Sequence, residues 1–369
     1  MAYSMFINLS TTGQVSSSEL SEKLSTPIVV AFGIYYFPVL LIGLVGNIFI
    51  IVAVLKYNHM KKVVNVFLAN LALSDLLFAV LTIFDSYTLY RGEWVFGEIF
   101  CRMQGTLIEV SYTVSVLTLT AVSAERYFSI CYPFRKKHTY QQSQVLSFVL
   151  WLLGFLFCAV LLHGYTTQSY LLPFTTDLKG QVIFKCENGN WSATSRLAFY
   201  ITHSIFIYFL PISFMCWSHI KISRVLIQPK KHFTSKNKTY PKACCENKNN
   251  LNKNKHEAKM KSLKVVKLLV SVTMVFFVLW TPFIALRLLK YLGVKVPNNV
   301  WRISQLLILG TTAANCVIYS LISKPFRLAF KGLLMCLPQI SGNETEFDSG
   351  KNTKELTLNN RLYSNSAIN

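Results

Sequence analysis

Seven stretches of mostly apolar residues divide the chain, at about residues 28 to 55, 64 to 90, 99 to 130, 144 to 164, 196 to 227, 263 to 291 and 300 to 322. A helix crosses the hydrocarbon core of a bilayer in about 20 residues, and only helices and closed barrels can satisfy their backbones there. The pattern predicts an all-α membrane protein, a seven-transmembrane helix bundle over residues 27–323, behind a polar tail at residues 1–26. Residues 228–261 are rich in Lys and Asn with almost no large apolar side chain, which predicts a disordered loop inside the bundle region. Residues 337–369 read as a similar tail. From Lys324 to Cys336, Phe326, Phe330, Leu333 and Leu334 recur at helical spacing opposite Arg327 and Lys331, which predicts a short amphipathic eighth helix at residues 324–336. Two extended patches, residues 169–174 and 181–185, flank a polar Thr-Thr-Asp-Leu-Lys-Gly segment and predict a β-hairpin between spans four and five.

Composition agrees with this reading and orients it. Of 369 residues 52% are hydrophobic and 14% charged, and the mean hydropathy is +0.40. Lys56, Lys61 and Lys62 follow span one, Arg135, Lys136 and Lys137 follow span three, a Lys-rich run follows span five, and Lys324, Arg327 and Lys331 follow span seven. Lys and Arg are retained on the cytoplasmic side, so the amino terminus is expected outside the plasma membrane in a multi-pass topology. The net charge of +21 is then a topology signal directed at anionic inner-leaflet lipid. A nucleic-acid partner is argued against, because the basic residues lie between lipid spans and no binding module accompanies them. The polar amino-terminal tail does not read as a cleaved signal peptide, so the first span is expected to direct insertion.

Nine cysteines are divided by this topology, and only Cys101 and Cys186 clearly lie on the oxidising side. They are expected to form a disulfide, two free thiols being the alternative. Asn8 and Asn190 open glycosylation acceptor motifs on the same side. Asn237 and Asn343 open the same motif on the cytoplasmic side, so the motif alone carries little weight. Cys336 stands where a palmitoyl group would anchor the eighth helix, with an unmodified thiol as the alternative.

Polar residues inside lipid spans are costly and point to function. Here they are Asn47 in span one, Asp75 in span two, Glu125-Arg126-Tyr127 at the inner end of span three, Trp151 in span four, Pro211 in span five, Phe276 and Trp280-Thr-Pro282 in span six, and Asn315-Cys-Val-Ile-Tyr319 in span seven. This constellation resembles the rhodopsin-like family of G-protein-coupled receptors, over about residues 30 to 336. Trp94 with Phe96-Gly97 and the Cys101–Cys186 bridge also fit. The resemblance implies that Glu125 holds Arg126 as a bidentate pair at rest, and that Arg126 meets a heterotrimeric G protein when span six swings away. Pro133 and Phe134 resemble the apolar knob that docks on Gα, and arrestin is a second possible partner. Arg126 merely snorkelling to phosphate is the alternative. Ser262 stands where many members place a second acidic partner, so the lock is expected to lack one anion.

Asp75, Ser115, Asn47 and Asn315 resemble an allosteric sodium pocket, the alternative being a neutral Asp75 in a structural hydrogen-bond network. Phe276, Trp280, Pro282, Asn315 and Tyr319 resemble the activation switch, with Pro282 kinking span six. Two positions depart from the pattern: Cys316 replaces a Pro, and His219 replaces a Tyr. They keep a weakly coupling or scavenging receptor open.

Ile108, about five turns above Arg126, occupies the place of the acidic residue that binds amines, and Leu309 the place of the retinal-binding Lys. An amine ligand and a light sensor are argued against. The mouth instead offers Asp85, Glu109, Arg287, Lys290 and Gln305, together with Ile108, Tyr112 and Phe283, under a hairpin flap. A peptide with charged groups fits best, a melatonin-like small amide or a lipid acid being the alternative. Glu109 and Arg287 are expected either to pair with each other or to grip opposite ends of such a ligand. No nucleophile, base and orienting group suggest an enzyme, and no cofactor is expected beyond the sodium ion. A seven-helix transporter or channel is the alternative from another class, though no repeat supports it.

Overall fold

The computed structural model of the chain describes residues 26–135, 138–171, 182–227 and 243–334. Seven long helices form one bundle: α1 (Thr26–Lys56), α2 (Val63–Arg91), α3 (Gly97–Cys131), α4 (Tyr140–Cys158), α5 (193–227), α6 (Ala243–Tyr291) and α7 (Asn298–Ile322). Each contains a segment long and apolar enough to cross a membrane. A short α8 (Lys324–Leu334) follows. Asn8 and Cys336 lie outside the described residues.

The bundle inverts the arrangement of a water-soluble domain. Phe37, Phe148, Leu156, Val278 and Leu321 are exposed on its flanks, while Asn47, Asn70, Asp75, Glu109, Arg287 and Asn315 are buried. Lipid accepts the first set and cannot solvate the second, which must find partners on neighbouring helices. Asn70 shows how: its Nδ2 donates to Thr118 Oγ1 at 2.7 Å and its Oδ1 accepts from Trp151 Nε1 at 2.9 Å, so one side chain joins α2, α3 and α4.

Local sequence sets the ends and bends. Thr139 and Gln142 cap α4 reciprocally, and Gly92 ends α2 at φ 80°. Pro211 has no N–H for the preceding turn, and just before it α5 widens into π-helical geometry over Ser204–Phe209. This wide turn sits immediately after His203. At Gly46, an added Cβ would lie 2.6 Å from Cys316 Cβ, so glycine permits the close approach of α1 and α7.

Three expected boundaries change. The fourth span stops at Cys158, and only one further turn, Leu161–Gly164, continues towards the hairpin. The hairpin strands are β1 (Tyr165–Leu171) and β2 (Val182–Asn188), antiparallel from Tyr165↔Asn188 to Leu171↔Val182, which is longer than the patches 169–174 and 181–185. Residues 243–261, expected as part of a disordered loop, are helical and continuous with α6. Extending a helix from an apolar span that already nucleates it costs little per residue, and no proline interrupts the chain between Pro241 and Pro282. The rest of that segment, 228–242, lies outside the described residues.

Cys101 and Cys186 form a disulfide with Cα atoms 5.6 Å apart, which fastens β2 to α3. Trp94 adds a second tie, donating its backbone N–H to Phe184 O at 2.7 Å. Lys185 and Glu187 share the opposite face of β2 from Cys186 and Asn188, as the period of two requires. Tyr170 OH donates to Glu187 Oε2 at 2.9 Å. Burial, then the neighbouring carboxylate, pushes the Tyr170 phenol well above its ordinary range, so it stays a neutral donor.

Candidate functional site

At the disulfide-bearing end of the bundle the chain buries an ion pair. Glu109 on α3 and Arg287 on α6 meet with Oε1 to Nη1 at 2.5 Å, and both side chains are almost fully buried. Two charges in so dry a place are tolerated only as a pair. His203, turned inward just before the π segment of α5, places Nε2 4.0 Å from Glu109 Oε2 and 3.1 Å from Thr113 Oγ1. Thr113 in turn lies 3.5 Å from Cys158 Sγ, so a polar chain runs through α3, α4, α5 and α6. The guanidinium also faces the Tyr200 ring at 4.5 Å and the Phe283 ring at 5.1 Å. Arg287 Nε and Nη2, Glu109 Oε2 and Tyr112 OH are buried without hydrogen-bond partners.

The expected mouth residues therefore separate into two groups. Glu109, Arg287, Tyr112 and Phe283 come together, with Ile108 half-buried against the same core. Asp85 and Gln305 are exposed, and Asp85 accepts from Gln104 Nε2 at 2.8 Å. Glu109 and Arg287 are paired below the surface rather than standing apart in an open pocket. Sequence reasoning missed His203, Tyr200 and Thr113. His203 carried a signal, as an ionisable residue within a lipid span; the others did not, since a lone Tyr or Thr in a span is common.

Beneath the pair an aromatic column leads deeper. Tyr112 stacks on Trp280 with centroids 4.1 Å apart, Trp280 stacks on Phe276 at 5.5 Å, and Trp280 also meets Phe78 at 6.1 Å. Trp280 lies two residues before Pro282, the one proline inside α6. The rings beneath the ion pair are thus packed beside the one position of α6 where a backbone hydrogen bond is missing.

Halfway down, Asn315 Nδ2 donates to Asp75 Oδ2 at 2.7 Å. Ser115 is close but indirect: its Oγ donates to Ser111 O and lies 2.9 Å from Ser74 Oγ. Asn47 is turned to the side, with Nδ2 donating to Gly43 O at 2.7 Å and Thr312 O at 3.2 Å, because α1 and α7 approach so closely there. Its Oδ1 is buried without a partner. Asp75, the Asn315 amide and the Ser74 and Ser115 hydroxyls thus form a buried polar layer between α2, α3 and α7. Among the described residues no cluster of His, Cys, Asp and Glu could hold a metal ion.

At the far end Arg126 Nε lies 3.5 Å from Glu125 Oε2. This is one ionic contact without a hydrogen bond, not the expected bidentate fork, because adjacent residues on a helix point about 100° apart. The Ser262 side chain lies outside the described residues. Tyr127 packs on Trp217 at 4.8 Å, and Tyr319 is buried over Phe326 of α8 at 5.8 Å. Phe134 is fully exposed, and Pro133 and Phe134 border a shallow apolar groove with Phe128 and Tyr132. His219 faces Thr273 of α6 at 3.5 Å. Cys316 sits in an unbroken α7 with Sγ directed at Thr312 O, 3.4 Å away.

A buried polar core strung along seven lipid-facing helices, closed at one end by a disulfide-tethered hairpin, defines a receptor of the seven-transmembrane class. The family model for the 7 transmembrane receptor (rhodopsin family) matches residues 46–319, and the chain belongs to that family. It is a multi-pass membrane receptor and not an enzyme, and the transporter or channel alternative falls away. Among its relatives is the substance-P receptor of Meriones unguiculatus, 25% identical over 97% of this chain and 83% of that protein. Another is the neuropeptide FF receptor 2 of Rattus norvegicus, 26% identical over 80% of this chain and 70% of that protein.

Proposed function

We propose that this chain is a plasma-membrane receptor, amino terminus outside, that binds an extracellular peptide at its disulfide-bearing end and activates a heterotrimeric G protein at its Arg126 end. The observation that carries this reading is the continuous path from the buried Glu109–Arg287 pair through Tyr112 to Trp280, two residues from Pro282 of α6. A ligand that disturbs the pair acts on the helix whose other end must move to uncover Arg126. The names of the relatives support a peptide ligand. The basic residues at the ends of α1, α5 and α8 support the orientation.

Further parts follow from the same reading. Pro133, Phe134 and Arg126 would meet Gα, with arrestin as a second partner of that face, and inner-leaflet lipid would hold α8. Sodium would be held by Asp75, with Ser115 and Asn315 beside it and Asn47 in the next layer. Asn190 is exposed, and glycosylation there would take the amide nitrogen that now donates to His163 O at 3.0 Å. The test is a peptide-library screen on transfected cells with calcium and cAMP read together. A response that disappears in Arg126→Ala at equal surface expression is the expected result, and silence to every peptide would remove the peptide ligand from the proposal.

A further inference from the structure

The charges around the disulfide-bearing end are not evenly satisfied. Among the described carboxylates there, Glu93 meets Arg91 at 3.4 Å, Glu98 meets Arg102 at 2.5 Å, and Asp85 accepts from Gln104. Glu187 accepts from Tyr170 on the hairpin face turned away from the Cys186 side. The first three of these belong to α2, α3 and the loop between them. The cations of α5, α6 and the loop before α7 are held differently. Arg196 lies over the Tyr291 ring at 5.1 Å and Lys290 over the Trp301 ring at 4.9 Å, each steadied, among the described residues, by a ring face rather than a carboxylate. Arg196 also donates to the Asn188 carbonyl at 2.7 Å, and Lys295 is exposed on the loop between α6 and α7. Ring faces and carbonyls steady a cation without cancelling its charge.

These cations are the tops of two ladders that converge on one residue. From Arg196 the path runs to Tyr291, which stacks on Tyr200 at 4.8 Å, whose ring faces Arg287 at 4.5 Å. From Lys290 it runs to Trp301, which meets Phe283 at 5.1 Å, whose ring faces Arg287 at 5.1 Å. Positive charge is thus displayed at the rim of α5 and α6, and the rings beneath it lead down to a guanidinium with two nitrogens lacking partners. Such a surface repels a basic ligand segment and attracts an acidic one, which gains a charge-assisted contact without breaking an existing ion pair.

We propose that the ligand carries acidic side chains and docks them on the Arg196, Lys290 and Lys295 rim. This rests on the peptide reading above and adds the sign and place of the ligand's charge. Negative Asp and Glu flanks are drawn to this rim from solution, so they act chiefly on association and weaken with salt.

Three synthetic peptide pools share one randomised core and differ only in flanks of Asp and Glu, of Asn and Gln, or of Lys and Arg. They are applied to cells carrying the full-length receptor, and to the Lys290→Gln, Lys295→Gln double variant, whose altered side chains are exposed and leave the buried pair alone. The expected result is a potency about tenfold higher for the acidic pool than for the neutral pool, shrinking as salt is raised and lost in the double variant. Equal potency of the pools, or preference for the basic one, overturns the proposal and leaves the peptide reading standing. An acidic preference unchanged in the double variant also overturns it. An advantage seen only after removal of residues 2–24 would give the rim to Glu19 and Glu22 of the chain's own tail, and overturns it as well. Silence to all three pools ends the peptide reading itself, and this proposal with it.

Discussion

Glu109 Oε1 and Arg287 Nη1 lie 2.5 Å apart although 178 positions separate the two residues in the chain. The contact joins α3, which carries Arg126 at its far end, to α6, which holds Pro282 five residues from Arg287. Any ligand that weakens the contact changes the freedom of α6 between Pro282 and its Tyr291 end. Because each partner is buried, neither charge can be left alone at small cost.

Glu109→Gln and Arg287→Gln should each destabilise the receptor by roughly 3 to 5 kcal/mol, the scale for stranding one member of a buried pair. The exchange Glu109→Arg with Arg287→Glu should recover much of that loss, since the pair can re-form with reversed polarity. Thermal unfolding of purified receptor, with surface expression alongside, checks both. Single variants as stable as the parent would mean that the pair does not hold α3 to α6.

The disulfide predicts a labelling pattern. Non-permeabilised cells carrying the parent receptor should take up no membrane-impermeant thiol reagent at Cys101 or Cys186, while Cys101→Ser should expose Cys186 to it. Loss of a native disulfide costs about 2 to 5 kcal/mol in small secreted domains; here β2 keeps its tie through Trp94 and Phe184, so the variant should reach the surface with weakened ligand binding. Strong labelling of the parent at either position would contradict the paired state.

The spans were legible because lipid leaves little choice: a helix facing hydrocarbon must be apolar for its whole length, and local composition reports this directly. The hairpin was legible from its two extended patches, though not its ends, since strand pairing to Tyr165 and Asn188 depends on the disulfide and on Trp94. The packing of Phe276 against Trp280 was legible through their spacing of one helical turn. What composition could not supply was the choice of partners between helices. Glu109 faces Arg287 rather than Lys290 or solvent, and Asn47 faces Thr312 rather than Asp75, because of how α1, α3, α6 and α7 rotate when they pack. The helical residues 243–261 were misread for the opposite reason, since composition reports whether a segment can bury a core and not whether a neighbouring helix will extend through it.

Asp75 yields a test of the sodium proposal that needs no ligand. Purified receptor should unfold at a higher temperature in sodium chloride than in choline chloride, and Asp75→Asn should abolish the difference. Sodium at ten times its dissociation constant would contribute about 1.4 kcal/mol. The variant can keep a hydrogen bond to Asn315, so its loss of sodium response separates the charge from the hydrogen bond. Equal unfolding temperatures of the parent in the two salts would favour a purely structural Asp75.

Tyr112 offers the sharpest separation of packing from polarity. Its ring stacks on Trp280 at 4.1 Å and lies 5.5 Å from His203, so it fills the space between the ion pair and Trp280 of α6. Its hydroxyl, by contrast, is buried without a partner. A buried hydroxyl that makes no hydrogen bond contributes desolvation cost and little else, so Tyr112→Phe should match or slightly exceed the parent in stability. Tyr112→Ala removes the ring and leaves a cavity beside Trp280, which should cost about 3 to 5 kcal/mol, as for other large aromatic truncations in packed cores. Signalling should divide in the same way: with Tyr112→Phe the dependence on ligand is retained, whereas with Tyr112→Ala Trp280 loses the surface that couples it to the Glu109–Arg287 pair. Basal and stimulated second-messenger levels, normalised to surface expression, read this out. If Tyr112→Phe impairs signalling as severely as Tyr112→Ala, the hydroxyl acts in the stimulated state, and the stacked column is not the route by which the ion pair reaches α6.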